Sequence, residues 1–225
     1  MIPGIDVSHY QGSIDWAKVK AAGIRFVYVK ASQGADFTDP RLFANVAGAA
    51  AAGIPIGLYH VFVANLGNAQ LSKWQEIYAS ADSQLPPWID IEPGAVTEET
   101  APQALEFLRA MKSNSGTKPR NPGKPCVYCS PMTAQSDLSD PEFRTYPLAI
   151  AHYTDAPSPN TVLWSGWEFW QHSCSGTVDG ILGAVDLDRF NADESDFQKL
   201  LGLPVTSPQR AETPVQRETK DNPPA

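Results

Sequence analysis

Cysteine is scarce: three in 225 residues, an odd number and too few for a disulfide framework. Cys126 and Cys129 form a CxxC, but no second such pair completes a zinc site. In the strand-like "PCVYCS", positions three apart point to opposite faces, so neither a metal nor a redox role is expected. Long apolar runs are missing as well. None approaches the roughly 18 residues of a membrane-spanning helix, and the alanine-rich run Val46 to Ile56 reads as the end of a buried helix, so no membrane insertion is expected. Basic excess is absent, since the formal net charge is −8, which excludes broad nucleic-acid affinity. The four histidines, His9, His60, His152 and His172, show no HExxH or other ligand spacing. No metal and no other cofactor is therefore expected. Ser8 and Ser32 lack a GxSxG elbow that would make either a nucleophile. No basic segment followed by an apolar one opens the sequence, so no signal peptide is expected within it. Internal repeats are absent.

Alternation is what the sequence does have. Strand-like runs occupy 4–10, 25–32, 55–62, 87–92 and 124–130, with helical patterns at 13–23, 39–53, 68–82 and 104–112 between them. Asp39 suits an N-cap, Pro40 a first helical position and Gly53 a helix stop, with Leu42, Phe43, Val46 and Ala50 on one face. Leu71, Trp74 and Tyr78 recur at helical spacing, and Thr100 with Gln103 reads as a capping box. Three further strand-like runs, 147–153, 167–173 and 184–190, are separated by short Gly-, Pro- and Ser-rich links. Alternating elements imply an α/β fold with a parallel sheet, and eight strands imply closure. The expected architecture is an irregular, TIM-like (β/α)-barrel over residues 1–204, with five βα units and three further strands, the last partly antiparallel. The segment 205–225 has four prolines, no aromatics and almost no large apolar residues. It reads as a disordered tail or linker stub.

Within "PPWIDIEPG" (86–94), Asp90 and Glu92 interrupt an apolar run, where charges are rarely placed unless paired or used. Two apart on a strand, they share a face with Trp88, while Ile89 and Ile91 face the covering helices. In a barrel that shared face is the interior, and the strand's carboxyl end opens on the mouth where barrel active sites lie. Asp6 in "GIDVS" and Asp186 in "AVDLD" stand on the first and last strands, which are neighbours in a closed barrel. Four carboxylates would then converge on one cleft and raise one another's pKa values. A strand-borne DxE at a barrel mouth is typical of carboxylate-based sugar hydrolysis. Asp188 is set aside as a strand-end cap. Sugar sites also need aromatic platforms and neutral hydrogen-bonding groups. Tyr59, Tyr128, Tyr153, Trp170, His60 and Gln171 lie on or beside strands, and proximity to strand C-termini favours Tyr128 and Tyr153.

Taken in order, these segments resemble the family 25 glycoside hydrolases, the Chalaropsis-type lysozymes. "GIDVSHYQG" resembles the opening Asp-Val-Ser with its Gln-Gly, and "FVYVKASQG" the second strand with its lysine, here Lys30. "GLYHVF" resembles the Tyr-His-Phe segment and "WIDIE" the Asp-x-Glu pair. "PCVYCS", "AIAHY" and "EFWQHSCSGTVDGILGAVDLDRF" resemble the closing strands, so the match runs from residue 4 to about 190. Gln33 in place of Glu, Val61 between His60 and Phe62, and Trp88 in place of a smaller aliphatic depart from the pattern.

The resemblance implies an irregular barrel and hydrolysis of the β-1,4 bond between N-acetylmuramic acid and N-acetylglucosamine in bacterial peptidoglycan. It also implies Glu92 as catalytic acid, Asp90 as its partner, Asp6 and Asp186 as supporting carboxylates, and Lys30, Tyr59, Tyr128, Tyr153 and Gln171 as substrate-binding residues. A monomer acting on the cell wall, in phage lysis or after export by another route, is the expected context. Cα atoms two apart on a strand are roughly 6.5–7 Å apart, a spacing that leaves inversion and retention open. Substrate assistance, with the sugar's acetamido group as nucleophile and Asp90 holding it, is the preferred third route. A chitinase-like barrel and a non-catalytic wall-binding module are the rival readings.

Overall fold

The computed structural model describes residues 1–115 and 124–204, the side chains of 113–115 excepted. The expected tail at 205–225 lies outside the described residues. Five βα units come first: β1 (Ile2–Val7) with α1 (Trp16–Ala21), β2 (Phe26–Gln33) and the short β3 (Phe37–Thr38) with α2 (Leu42–Ala51), β4 (Ile56–Val61) with α3 (Gly67–Ser80), β5 (Trp88–Asp90) with α4 (Ala101–Ser115), and β6 (Cys126–Cys129) with α5 (Pro131–Ser136). Then follow β7 (Leu148–Ala151), β8 (Phe169–Gly176), β9 (Val185–Phe190) and α6 (Glu194–Leu200). From β1 through β2 and β4 to β8 every neighbouring pair is parallel. β9 runs antiparallel to both β8 and β1 and closes the ring. This is the irregular eight-stranded barrel that the pattern implied. β7 and β8 are nonetheless parallel, joined by residues 152–168 without an α-helix.

Strand alternation divides the core in two. Outward-facing Val27, Val29, Leu58, Ile89, Val127 and Ile150 pack with helix residues such as Trp16, Val19, Leu42, Trp74 and Leu108. Inward-facing Ile2, Phe26, Tyr28, Trp88, Cys126, Phe169 and Phe190 fill the barrel, and Phe197 and Leu201 of the C-terminal segment join them at its apolar end. Cys126 and Cys129 fall in different clusters, as opposite strand faces require. Residues of large area need small neighbours here. Gly57 lies beside Tyr28 in register, and Tyr28 is stacked on Trp88 at 3.5 Å between ring centroids.

Several local expectations are corrected. β1 stops at Val7 rather than residue 10, because Ser8 caps a 3-10 turn at His9–Gln11. β5 ends at Asp90 rather than residue 92. On α2, which begins at Leu42 rather than beside Asp39, the buried face is Leu42, Asn45, Val46 and Ala49, whereas Phe43 and Ala50 are exposed; the i, i+3, i+4, i+7 set is centred on one side of the expected stripe. Asp39 instead accepts from the Arg41 and His9 backbone N–H groups and pairs with the His9 ring. The side chain of Gln103 accepts from the Asn65 N–H, and Thr100 Oγ1 accepts from the Thr97 N–H, so these two residues do not form a capping box. β3, α5 and α6 are too short to show a periodic pattern.

A Cβ at Gly57 would fall 2.2 Å from the Tyr28 ring, with Trp88 behind it. Gly57→Ala is therefore expected to cost about 1–3 kcal/mol, read as a lowered denaturant midpoint with an unchanged slope.

Candidate active site

The strands place an open cleft of about 390 Å³ at the carboxyl ends of the parallel strands. Asp6, Lys30, Tyr59, Asp90, Glu92, Tyr128, Tyr153, Gln171 and Asp186 all line it, so the expected site residues are brought together. Closure does this for the acids of the terminal strands: Asp6 on β1 and Asp186 on β9 are directly paired in register. Asp90 is the last residue of β5, at its carboxyl end, and is buried to 7 % exposure. Glu92 follows just beyond the strand, exposed at the lip. The chain is held there by hydrogen bonds from Ile91 N–H to Tyr128 O and from Gly94 N–H to Asp137 Oδ2. Trp88 is buried against Tyr28 and Tyr128 and forms part of the cleft wall.

A hydrogen-bonded chain crosses the cleft. Tyr128 and Tyr153 both donate to Gln171 Oε1, at 3.0 and 2.6 Å, and Gln171 Nε2 donates to Asp6 Oδ2 at 2.6 Å. Lys30 donates to Gln33 Oε1 at 2.9 Å and lies over the Phe37 ring. None of Asp6, Asp90, Asp186 or Glu92 is in an ion pair among the described residues. Burial accordingly raises the pKa of Asp90, reinforced by the charges of Glu92 and Asp6 and opposed by Lys30. Asp6 is raised by burial and then by Asp186, and Asp186 is raised by burial. The phenols of Tyr59 and Tyr128 are raised by burial and then by Asp6, so both remain neutral hydroxyls.

Other candidates prove structural. His60 faces outward, bonded to Ser32 and Gln70 and stacked on Phe107, and burial pushes its pKa down to about 4. Trp170 is buried among the outer core and donates to His152 O. Asp188 is not a cap, a correction with a plain cause: it shares strand parity with Asp186 and so points into the barrel. It is 1 % exposed, and Asp193 caps the following helix instead. Sequence reasoning also passed over Tyr10, 81 % exposed at the cleft and packed on His9 at 4.2 Å. Its position beside the Ser8 turn was the available signal.

A barrel with neutral phenols and converging carboxylates at its mouth is the arrangement of a glycoside hydrolase. The profile of Glycosyl hydrolases family 25 matches residues 5–181, and the chain belongs to that family, the family of lysozymes and muramidases. Lysozyme M1 of Streptomyces globisporus is 30 % identical over 212 residues, covering 90 % of this chain and 71 % of that protein. The N,O-diacetylmuramidase of Chalaropsis is 27 % identical over 208 residues, covering 82 % and 96 %. The crystal structure of the Streptomyces coelicolor lysozyme superposes with a TM-score of 0.73 at 31 % identity, covering 90 % and 96 % of the two chains.

The buried acids make stability pH-dependent. Raised native pKa values mean that the folded state binds more protons than the unfolded chain, so stability is greatest below the unfolded carboxylate range and is lost as pH rises. The contribution of Asp6, Asp90 and Asp186 predicts that Asp90→Asn raises the denaturant midpoint more at pH 8 than at pH 4.

Proposed function

We propose that this chain is an N-acetylmuramidase that cleaves the β-1,4 bond between N-acetylmuramic acid and N-acetylglucosamine in bacterial peptidoglycan. The observation that carries this reading is the convergence of Glu92, Asp90, Asp6 and Asp186 on one cleft of a family 25 barrel. Glu92, exposed beyond β5, is the proton donor to the departing glycosidic oxygen. Asp90 supports the anomeric centre from deeper in the cleft. Its carboxyl lines the cleft, where it accepts an acetamido N–H of the substrate.

In the substrate-assisted route the acetamido carbonyl oxygen attacks C1, the C1–O bond to the next sugar breaks, and the electron pair of that bond takes the proton of Glu92. Water then adds to C1 as the acetamido bond opens, giving its proton back to Glu92. Two inversions at one carbon give retention. Tyr59, Tyr128, Tyr153 and Gln171 hold the sugars around the bond, since neutral phenols and amides bind hydroxyls without adding charge among the acids, and Lys30 adds a cationic donor to the same cleft. The place of action in this reading is the bacterial cell wall.

Reducing-end release from purified peptidoglycan, with mass spectrometry of the new terminus, tests the reading. New N-acetylmuramic acid ends support it. New N-acetylglucosamine ends, or sugar release from chitin alone, overturn the bond assignment. Glu92→Gln is expected to fold like the parent and lose roughly 10²–10⁴-fold in kcat. The first-formed product is expected to keep the β anomer by NMR, and an inverted product would rule out acetamido participation.

A further inference from the structure

Asp188 is a buried acid without an ion-pair partner among the described residues, and the mechanism above does not use it. It lies on β9 between Gly4 of β1 and Gln171 of β8 in register. Its side chain is sealed from solvent, and neither carboxyl oxygen has a donor from any amide, hydroxyl or backbone N–H. The polar group it does meet within hydrogen-bonding reach is the carboxyl of Asp6. No lysine, arginine or histidine forms an ion pair with either acid among the described residues. The titratable groups acting on Asp188 are Asp6 on β1 and Asp186 on β9, both of which oppose its ionisation. Asp188 in turn acts on the phenols Tyr28 on β2 and Tyr128 on β6.

Two buried carboxylates in contact with no cation cannot both be charged. A carboxylate offers only acceptors, and a hydrogen bond between the two requires a proton on one of them. Asp6 already accepts from Gln171 Nε2, also meets the carboxyl of Asp186 and reaches the open cleft. Asp188 reaches neither a donor nor solvent. The proton therefore resides on Asp188, and its O–H donates to Asp6.

We propose that Asp188 is a positioning residue that stays protonated and, through Asp6, sets the direction of the hydrogen-bonded chain across the cleft. With Asp6 accepting from both Asp188 and Gln171, Gln171 must present its NH₂ to Asp6 and its carbonyl to Tyr128 and Tyr153. Both phenolic protons then point away from the cleft, and their lone pairs face it as acceptors for substrate O–H and N–H groups. The catalytic consequence rests on the muramidase reading, whereas the proton itself does not.

Two variants and two readouts separate these. Asp188→Asn keeps a donor to Asp6 but cannot titrate. Asp188→Leu keeps the branched shape, at a larger volume, without a donor. On peptidoglycan, D188N is expected to stay within about threefold of the parent in kcat/KM near pH 6 and to hold its activity further into the alkaline range. D188L is expected to lose roughly tenfold to a hundredfold, as misplaced binding groups do. Infrared difference spectra of parent minus D188N should show the C=O stretch of a protonated carboxylic acid at pH 7. A protonated band absent at pH 7, or D188L with the parent's activity and pH profile, overturns the proposal. So does D188N with the activity loss of D188L. If D188L does not fold, the band and the D188N pH profile still decide. If the parent releases no sugar ends, the muramidase reading fails and the infrared band alone decides whether Asp188 holds the proton.

Discussion

Closure of the barrel through β9 is the constraint on which the rest depends. β9 runs antiparallel between β8 and β1, and only this pairing brings the two ends of the sheet together. It places Asp186 opposite Asp6 and Asp188 opposite Gln171, so acids 180 residues apart in the chain meet within one cleft. The antiparallel return needs no crossover helix, which is why a short connection suffices between β8 and β9.

The barrel interior is graded along its axis. One end is apolar, filled by Phe26, Tyr28, Trp88, Phe169 and Phe190 and sealed by Phe197 and Leu201. The other is polar and open. The apolar layer forms the floor on which the acids stand, and it excludes the water that would otherwise hold them ionised at ordinary pKa values. The same burial that prepares these groups for proton chemistry lowers the stability of the fold as they ionise. Asp6, Asp90 and Asp188 are carried at that cost.

Much of this was legible from local pattern. Strand parity alone assigned Asp90 and Trp88 to the interior and Ile89 and Ile91 to the helices, and the clusters agree. The helix stops at Gly23 and Gly53, both with positive φ, followed from residue type. Asp188 was misread because a strand-end aspartate and an interior one look alike until the strand's extent is known. Its own parity with Asp186 was the better guide. The Thr100–Gln103 pair failed because Gln103 found the Asn65 N–H across a loop, and nothing in its neighbourhood along the chain announces such a partner.

The sequence by itself determined the alternation of elements, the inward face of each strand and the identity of the acids, because these depend on a two-residue period and on side-chain chemistry. Tertiary structure alone decided which acids are buried, which donor each one finds, and that Gln171 joins two tyrosines to Asp6. Burial and hydrogen-bond partnership are properties of distance in space, and strand closure sets those distances between residues that the chain keeps far apart.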